Sequence, residues 1–187
     1  MTQGVITAKL TRCFRSTDEE VVVRGRAWYP EALDRMEWLA QETGYLTEQA
    51  VAVMAITSRA AQLSSNLNWT EAALRSGGEE PVGRFPNQMT PAVRKVLADP
   101  SNILSAISGP KVESFYRAIM GDEDAVVLDR WALLAAGHTE RAPDPGPKRR
   151  VIERAYRRAA ELCNIAPRDF QAAIWISVRG QHLANIV

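Results

Sequence analysis

The spacing of apolar residues makes this chain a succession of helices. From Lys148 to Cys163, at 100° per residue, Val151, Ile152, Ala155, Ala159, Leu162 and Cys163 gather on one side, with Arg150, Arg154, Arg157 and Arg158 opposite. Ala50 to Ala61 differs: Val51, Val53, Met54, Ala55 and Ile56 leave little polar face, so a central buried helix capped by Thr47 is predicted. Leu33, Met36, Trp38, Leu39 and Ala40 form the apolar stripe of a helix that starts near Pro30 and stops before Gly44. A weaker helix over Thr17 to Trp28 carries Asp18, Glu19 and Glu20 in its first turn, where the helix dipole favours negative charge. The β-branched run Val21 to Val23 works against it. Residues 1–16 show no clear period and are read as an irregular arm, or a short strand through Val5, Ile6 and Leu10.

Further helices are predicted over Asn68 to Arg75, over Ala92 to Ala98 behind Thr90-Pro91, over Trp131 to Ala136 before Gly137, and from Pro167 to Gly180. Ser76 to Gly83 is a Gly-rich loop, and Arg141 to Lys148, with its three prolines, an exposed connector. There is no sustained β alternation and no solenoid-length repeat. The fold class expected is all-α, a single helical domain over residues 1–187, a length that suits one well-buried core.

Composition narrows the function classes. With 46% apolar and 24% charged residues the chain is ordinary globular protein, and no apolar run approaches a membrane span, so no membrane partner is expected. The N-terminus does not look like a secretory signal, which points to the cytoplasm. Cys13 and Cys163, 150 positions apart, make neither a disulfide framework nor a metal motif. His138 and His182 have no neighbours at metal-ligand spacing, and a phosphate-binding Gly loop with its Lys and Ser or Thr is missing, so no metal or cofactor is expected. A net charge of +1 means that any grip on nucleic acid must come from locally clustered cations.

The densest chemistry lies between Asp99 and Ala136. Asp99 and Pro100 open a short helix, Ser108-Gly109-Pro110 makes a tight turn, a second helix runs from Lys111, and a loop over 121–130 delivers Asp129 to the start of a third. Gly109 permits a backbone conformation that other residues resist, and the N–H groups at the head of the Lys111 helix suit a phosphate oxygen. These residues resemble the helix-hairpin-helix DNA glycosylases, whose hairpin usually reads L-P-G-V-G-x-K-[TV] and whose following loop ends in V-D-[TV]-H. Here the text is Ala106-Ile-Ser-Gly-Pro-Lys-Val112 and then Val127-Leu-Asp129-Arg-Trp131. Lys111 and Asp129 lie 18 positions apart, the spacing of bifunctional members. The departures are Ile107 at the first hairpin Gly, Arg130 and Trp131 after the aspartate, and two cysteines where some members use four for an iron-sulfur cluster. The resemblance covers roughly Val51 to Gly180 and implies the glycosylase fold, with the hairpin over 100–120.

The resemblance makes Lys111 the nucleophile that attacks the sugar C1′ and Asp129 the carboxylate that assists it, the two approaching each other across a cleft. The partner it implies is DNA, held by Ser108, Gly109 and Pro110 of the hairpin. The segment Ile56 to Asn66 is loosely similar to the family's L-S-x-Q-[TA]-x-D-x-x-V-N, which offers Ser58, Arg59, Gln62 and Asn66 as pocket or DNA contacts, or as ordinary helix-end residues. Arg150, Arg154, Arg157 and Arg158 form either a phosphate-contacting ridge or a solvated face. Tyr116, Trp131 and Trp69 are candidates to stack on a base, or core aromatics. Taken without the resemblance, Lys111 reads as a solvated lysine and Asp129 as the N-cap of its helix. Three functions follow: a glycosylase with or without strand-cleaving lyase activity, a transferase of the same scaffold altering a base in modified viral DNA, and a non-catalytic hairpin protein gripping phosphate.

Overall fold

A computed structural model describes residues 1–138 and 146–184, and among these every regular element is helical. The α-helices are α1 Gln3–Arg15, α2 Glu19–Thr43, α3 Thr47–Thr57, α4 Leu63–Arg75, α5 Pro86–Ala98, α6 Ile103–Ala106, α7 Pro110–Ile119, α8 Arg130–Ala135, α9 Pro147–Leu162 and α10 Pro167–Ala184, with a single 3-10 turn at Pro100–Asn102. Most of the connector expected at Arg141 to Lys148, and the side chain of His182, lie outside the described residues. The helices group into two compact units, one of residues 1–30 and 121–187, the other of residues 31–120.

The first unit is built on α1, α8, α9 and α10. Ile6, Leu10, Leu128, Leu133, Ile152, Tyr156, Phe170 and Ile174 form its core, with Phe14 stacked on Phe170 at 4.8 Å between centroids. Residues 3–15, expected as an irregular arm, are a full helix. Its inward stripe is Ile6, Thr7, Leu10 and Thr11, half of it threonine, while Val5 faces out, which blurs the period in the sequence. The stripe stays inside because α1 lies along α9, where the Thr7 hydroxyl donates to the Ala155 carbonyl at 3.4 Å.

The second unit is organised around α3, whose residues from Gln49 to Thr57 are all buried against α4, α5, α6 and α7. The central buried helix predicted from the run Val51 to Ile56 is therefore present, four residues shorter at its end. Its cap is not Thr47: Leu46 precedes the first turn, and the Gln49 side chain accepts from the Leu46 N–H at 3.0 Å while donating to the Val96 carbonyl at 2.8 Å.

The two helices expected on either side of Pro30 are one, Glu19–Thr43, with Pro30 inside it. Proline removes one N–H from the ladder and crowds the turn before it, at a cost of about 3 kcal/mol in an open helix. Buried neighbours on both sides hold the helix through the defect, Tyr29 in the first unit and Met36, Leu39 and Ala40 in the second.

Candidate functional site

In the second unit the approach to the site begins at Asp99. Its carboxylate accepts from the Ser101 N–H at 2.8 Å and the Ser101 hydroxyl at 2.7 Å, which hold the carboxyl below its ordinary range. The 3-10 turn and α6 follow, then a turn through Ile107, Ser108 and Gly109. Ile107 sits at φ −75° with its side chain buried, so a side chain is admitted where the hairpin pattern usually has glycine. Gly109 is different, at φ 95° and ψ 143°, a conformation open essentially to glycine alone. Pro110 starts α7 with no N–H to satisfy, and Gly109 has no side chain to cap it, so the Lys111 and Val112 N–H groups stand at the helix head beyond reach of intrahelical acceptors. Ser108 and Gly109 are exposed there, and Pro110 is half-buried.

Lys111, half-buried in the first turn of α7, turns its side chain toward the end of α3. Its Nζ donates to the Ser58 carbonyl at 2.8 Å and to Ser58 Oγ at 3.0 Å, and lies 5.8 Å from the centroid of the Phe115 ring. Ser58 is the residue that closes α3; it is 8% exposed and its own hydroxyl donates to the Ala55 carbonyl at 2.8 Å. The chain then reverses through Ala60 at φ 55°.

The other polar residues of this segment separate. Arg59 reaches Gln88 at 3.3 Å, and Gln62 is exposed at the start of α4. Asn66, grouped with them from the sequence, is instead only 3% exposed: its Oδ1 accepts from the Thr57 hydroxyl at 2.6 Å beside Thr70, which fastens α4 to α3. Trp69 and Tyr116 are half-buried, and burial followed by the charge of Glu48 raises the Tyr116 phenol above its usual range.

In the first unit the stretch Ala125 to Leu128 is buried and anchors the loop that presents Asp129. Asp129 caps α8, its Oδ1 accepting from the Ala132 N–H at 2.9 Å, as the N-cap reading predicts. Trp131 is half-buried with the Arg130 guanidinium 5.3 Å from its ring centroid. Along α9 the apolar side faces the core, and Arg150, Arg154, Arg157 and Arg158 are exposed as the period predicts. Arg157 donates to the Asp124 carbonyl at 3.2 Å, and Arg158 pairs with Glu161 at 2.6 Å. A cleft of about 520 Å³ between Phe14, Arg15, Val22, Leu162 and Cys163 contains none of the candidate residues, and burial pushes the Cys163 thiol up, away from reactivity. Lys111 belongs to the second unit and Asp129 to the first, and each is described in its own surroundings.

Comparison with known proteins matches a family model to residues 1–182, the two functional candidates and both units included. The chain belongs to a family of unknown function, DUF7178. No curated protein and no solved structure matches it.

Membership in DUF7178 brings no activity with it, so the chemistry rests on the residues. Among the described residues no group of three or more His, Cys, Asp or Glu side chains is placed to hold a metal ion, and no helix is long and apolar enough to cross a membrane. What stands out is an amine held by two oxygens beside a helix head suited to phosphate. Sequence reading names Lys111 but not its partnership with Ser58, which lies 53 positions earlier and carries no local signal of it. It also passes over Arg149, buried at the start of α9 and bonded to Glu153 at 2.8 Å.

Proposed function

We propose that this DUF7178 protein binds DNA and excises a base, acting as a glycosylase with lyase chemistry, with the segment from α6 to α7 serving as a helix-hairpin-helix. The observation that carries the reading is the Lys111 amine, oriented by Ser58 one residue beyond the Gly109-Pro110 turn. A phosphate seated on the α7 N–H groups brings a nucleotide sugar to the same end of the helix. A base rotated out of the stack exposes C1′. The neutral amine forms the N–C1′ bond as the glycosidic bond breaks, and its electron pair departs with the base, which takes up a proton. Loss of the amine proton and sugar ring opening give a Schiff base, from which elimination cuts the strand. A carboxylate such as Asp129 stabilises the positive charge that develops on the sugar.

Borohydride trapping across a panel of modified and abasic duplexes tests this. A covalent adduct mapped to Lys111 and missing from Lys111→Ala is expected, with DNA affinity mostly retained, because one cation among several supplies only part of the electrostatic attraction. Affinity is expected to fall steeply with salt, and Arg150→Glu with Arg154→Glu to reduce the slope of log K against log salt by about 2. The second reading, a non-catalytic protein that only binds DNA, is favoured by the Ser58 carbonyl: a cation there also neutralises the C-terminal end of α3. Salt-sensitive binding with no adduct on any duplex selects that reading.

A further inference from the structure

Deepening the function proposed above, we infer that Ser58 is the positioning residue of the Lys111 amine. The direction of the hydrogen bonds decides its role. The Ser58 hydroxyl has one proton and gives it to the Ala55 carbonyl at 2.8 Å, so toward Lys111 the oxygen offers lone pairs only. The Ser58 carbonyl, 2.8 Å from Nζ, is likewise an acceptor. Nζ is tetrahedral, with one bond to Cε. Two of its other three directions are taken by Ser58, and the third is thereby fixed, pointing away from Ser58. A protonated lysine carries N–H in all three directions. A neutral amine has only two N–H groups, and when both stay on Ser58 the lone pair lies along the third direction. A flexible four-carbon side chain thus becomes a nucleophile with one defined line of attack. Because α3 is buried throughout and ends at Ser58, the two acceptors are as rigid as the core of the second unit.

The same geometry predicts what losing the hydroxyl does. Its lone pair interacts more strongly with an ammonium than with an amine, so removing it disfavours the charged form. The carbonyl remains, but a single acceptor leaves Nζ free to turn.

The test is carried out on the full chain, with Ser58→Ala and with Ser58→Cys, which keeps the shape but is a poor acceptor and serves if the alanine variant does not fold. The first measurement needs no DNA: competitive acetylation of Lys111 as a function of pH, read by mass spectrometry against exposed Lys95. The Lys111 profile is expected to move to lower pH in both variants while that of Lys95 stays. The second measures adduct formation with a saturating abasic duplex under borohydride, expected to slow about tenfold with DNA affinity unchanged, the equivalent of ~1.4 kcal/mol in the barrier. An unmoved Lys111 profile overturns the inference, as does a shifted profile with an unchanged trapping rate. If the wild-type protein forms no adduct on any duplex while the Lys111 profile still shifts, the hold of Ser58 on Lys111 stands and the glycosylase reading is what fails.

Discussion

The Asp129 carboxylate caps α8 through its bond to the Ala132 N–H, and that duty has to be separated from any part in chemistry. Asparagine is also a good N-cap and alanine is not. Asp129→Ala is expected to lower unfolding stability by about 1 kcal/mol and Asp129→Asn by a few tenths at most, as read from urea midpoints. If the carboxylate also stabilises a sugar cation, both variants slow base release, and the asparagine does so without the stability loss. Equal stability losses in the two would show that charge rather than capping geometry holds α8. At this scale the sequence is informative where an interaction is local: a carboxylate three residues before the N–H it caps leaves a readable pattern. The clasp on Lys111 and the burial of Asn66 leave none, because both depend on where α3 ends relative to α7 and α4. Ser58 and Asn66 look alike on paper as polar residues past an apolar run. One binds the candidate nucleophile and the other is a core fastener.

Whole helices were legible in proportion to how cleanly their buried face is apolar. The α9 face is plain because alanines and isoleucine alternate with arginines at helical spacing, whereas α1 hides its stripe behind two threonines. Close packing makes a further demand that composition conceals. Gly25 sits in the interior of α2, where glycine ordinarily weakens a helix by about 1 kcal/mol relative to alanine. A Cβ placed there would lie 2.7 Å from both Cα and N of Ala173 on α10, a contact with backbone that no rotamer change relieves. Gly25 is therefore the residue that lets α2 and α10 touch. Replacing it by alanine is expected to destabilise by about 2–3 kcal/mol, despite the gain in helix propensity. Gly4, in α1 with open space around its Cβ position, is the control: alanine there is expected to be neutral or stabilising. Chemical denaturation of the two variants decides it, and a stabilised Gly25→Ala would mean that the helices separate at little cost.

Over the molecule as a whole, two cores are stabilised by different means, and pH offers a way to address one of them. Tyr29 and Tyr156 both lie in the first unit, and both are buried donors, to Gln171 Oε1 at 2.8 Å and to the Ala132 carbonyl at 2.7 Å. Burial, and then the negative charge of Asp129, hold both phenols well above their ordinary value of 10.0. Ionising either would leave a phenolate facing an acceptor oxygen. Below pH 10 folded and unfolded chains are equally protonated at these positions, and the tyrosines give no pH dependence. Above it the unfolded chain loses both protons and the folded chain keeps them, so stability falls by about 1.4 kcal/mol per pH unit for each tyrosine. At pH 11 the loss is about 2–3 kcal/mol, a substantial part of the 5–15 kcal/mol of a typical domain. The second unit has no fully buried tyrosine to respond this way; Tyr45 and Tyr116 are both half-buried. Limited proteolysis at pH 8 and pH 10.5, with fragments mapped by mass spectrometry, is expected to show new cleavage first within residues 1–30 and 121–180. Tyr156→Phe, which removes one titrating group and one hydrogen bond, is expected to lower stability at pH 8 by about 1 kcal/mol while flattening the alkaline fall. New cuts appearing first within residues 31–120, or an alkaline fall unchanged in Tyr156→Phe, would place the pH-sensitive weakness elsewhere than in these two phenols.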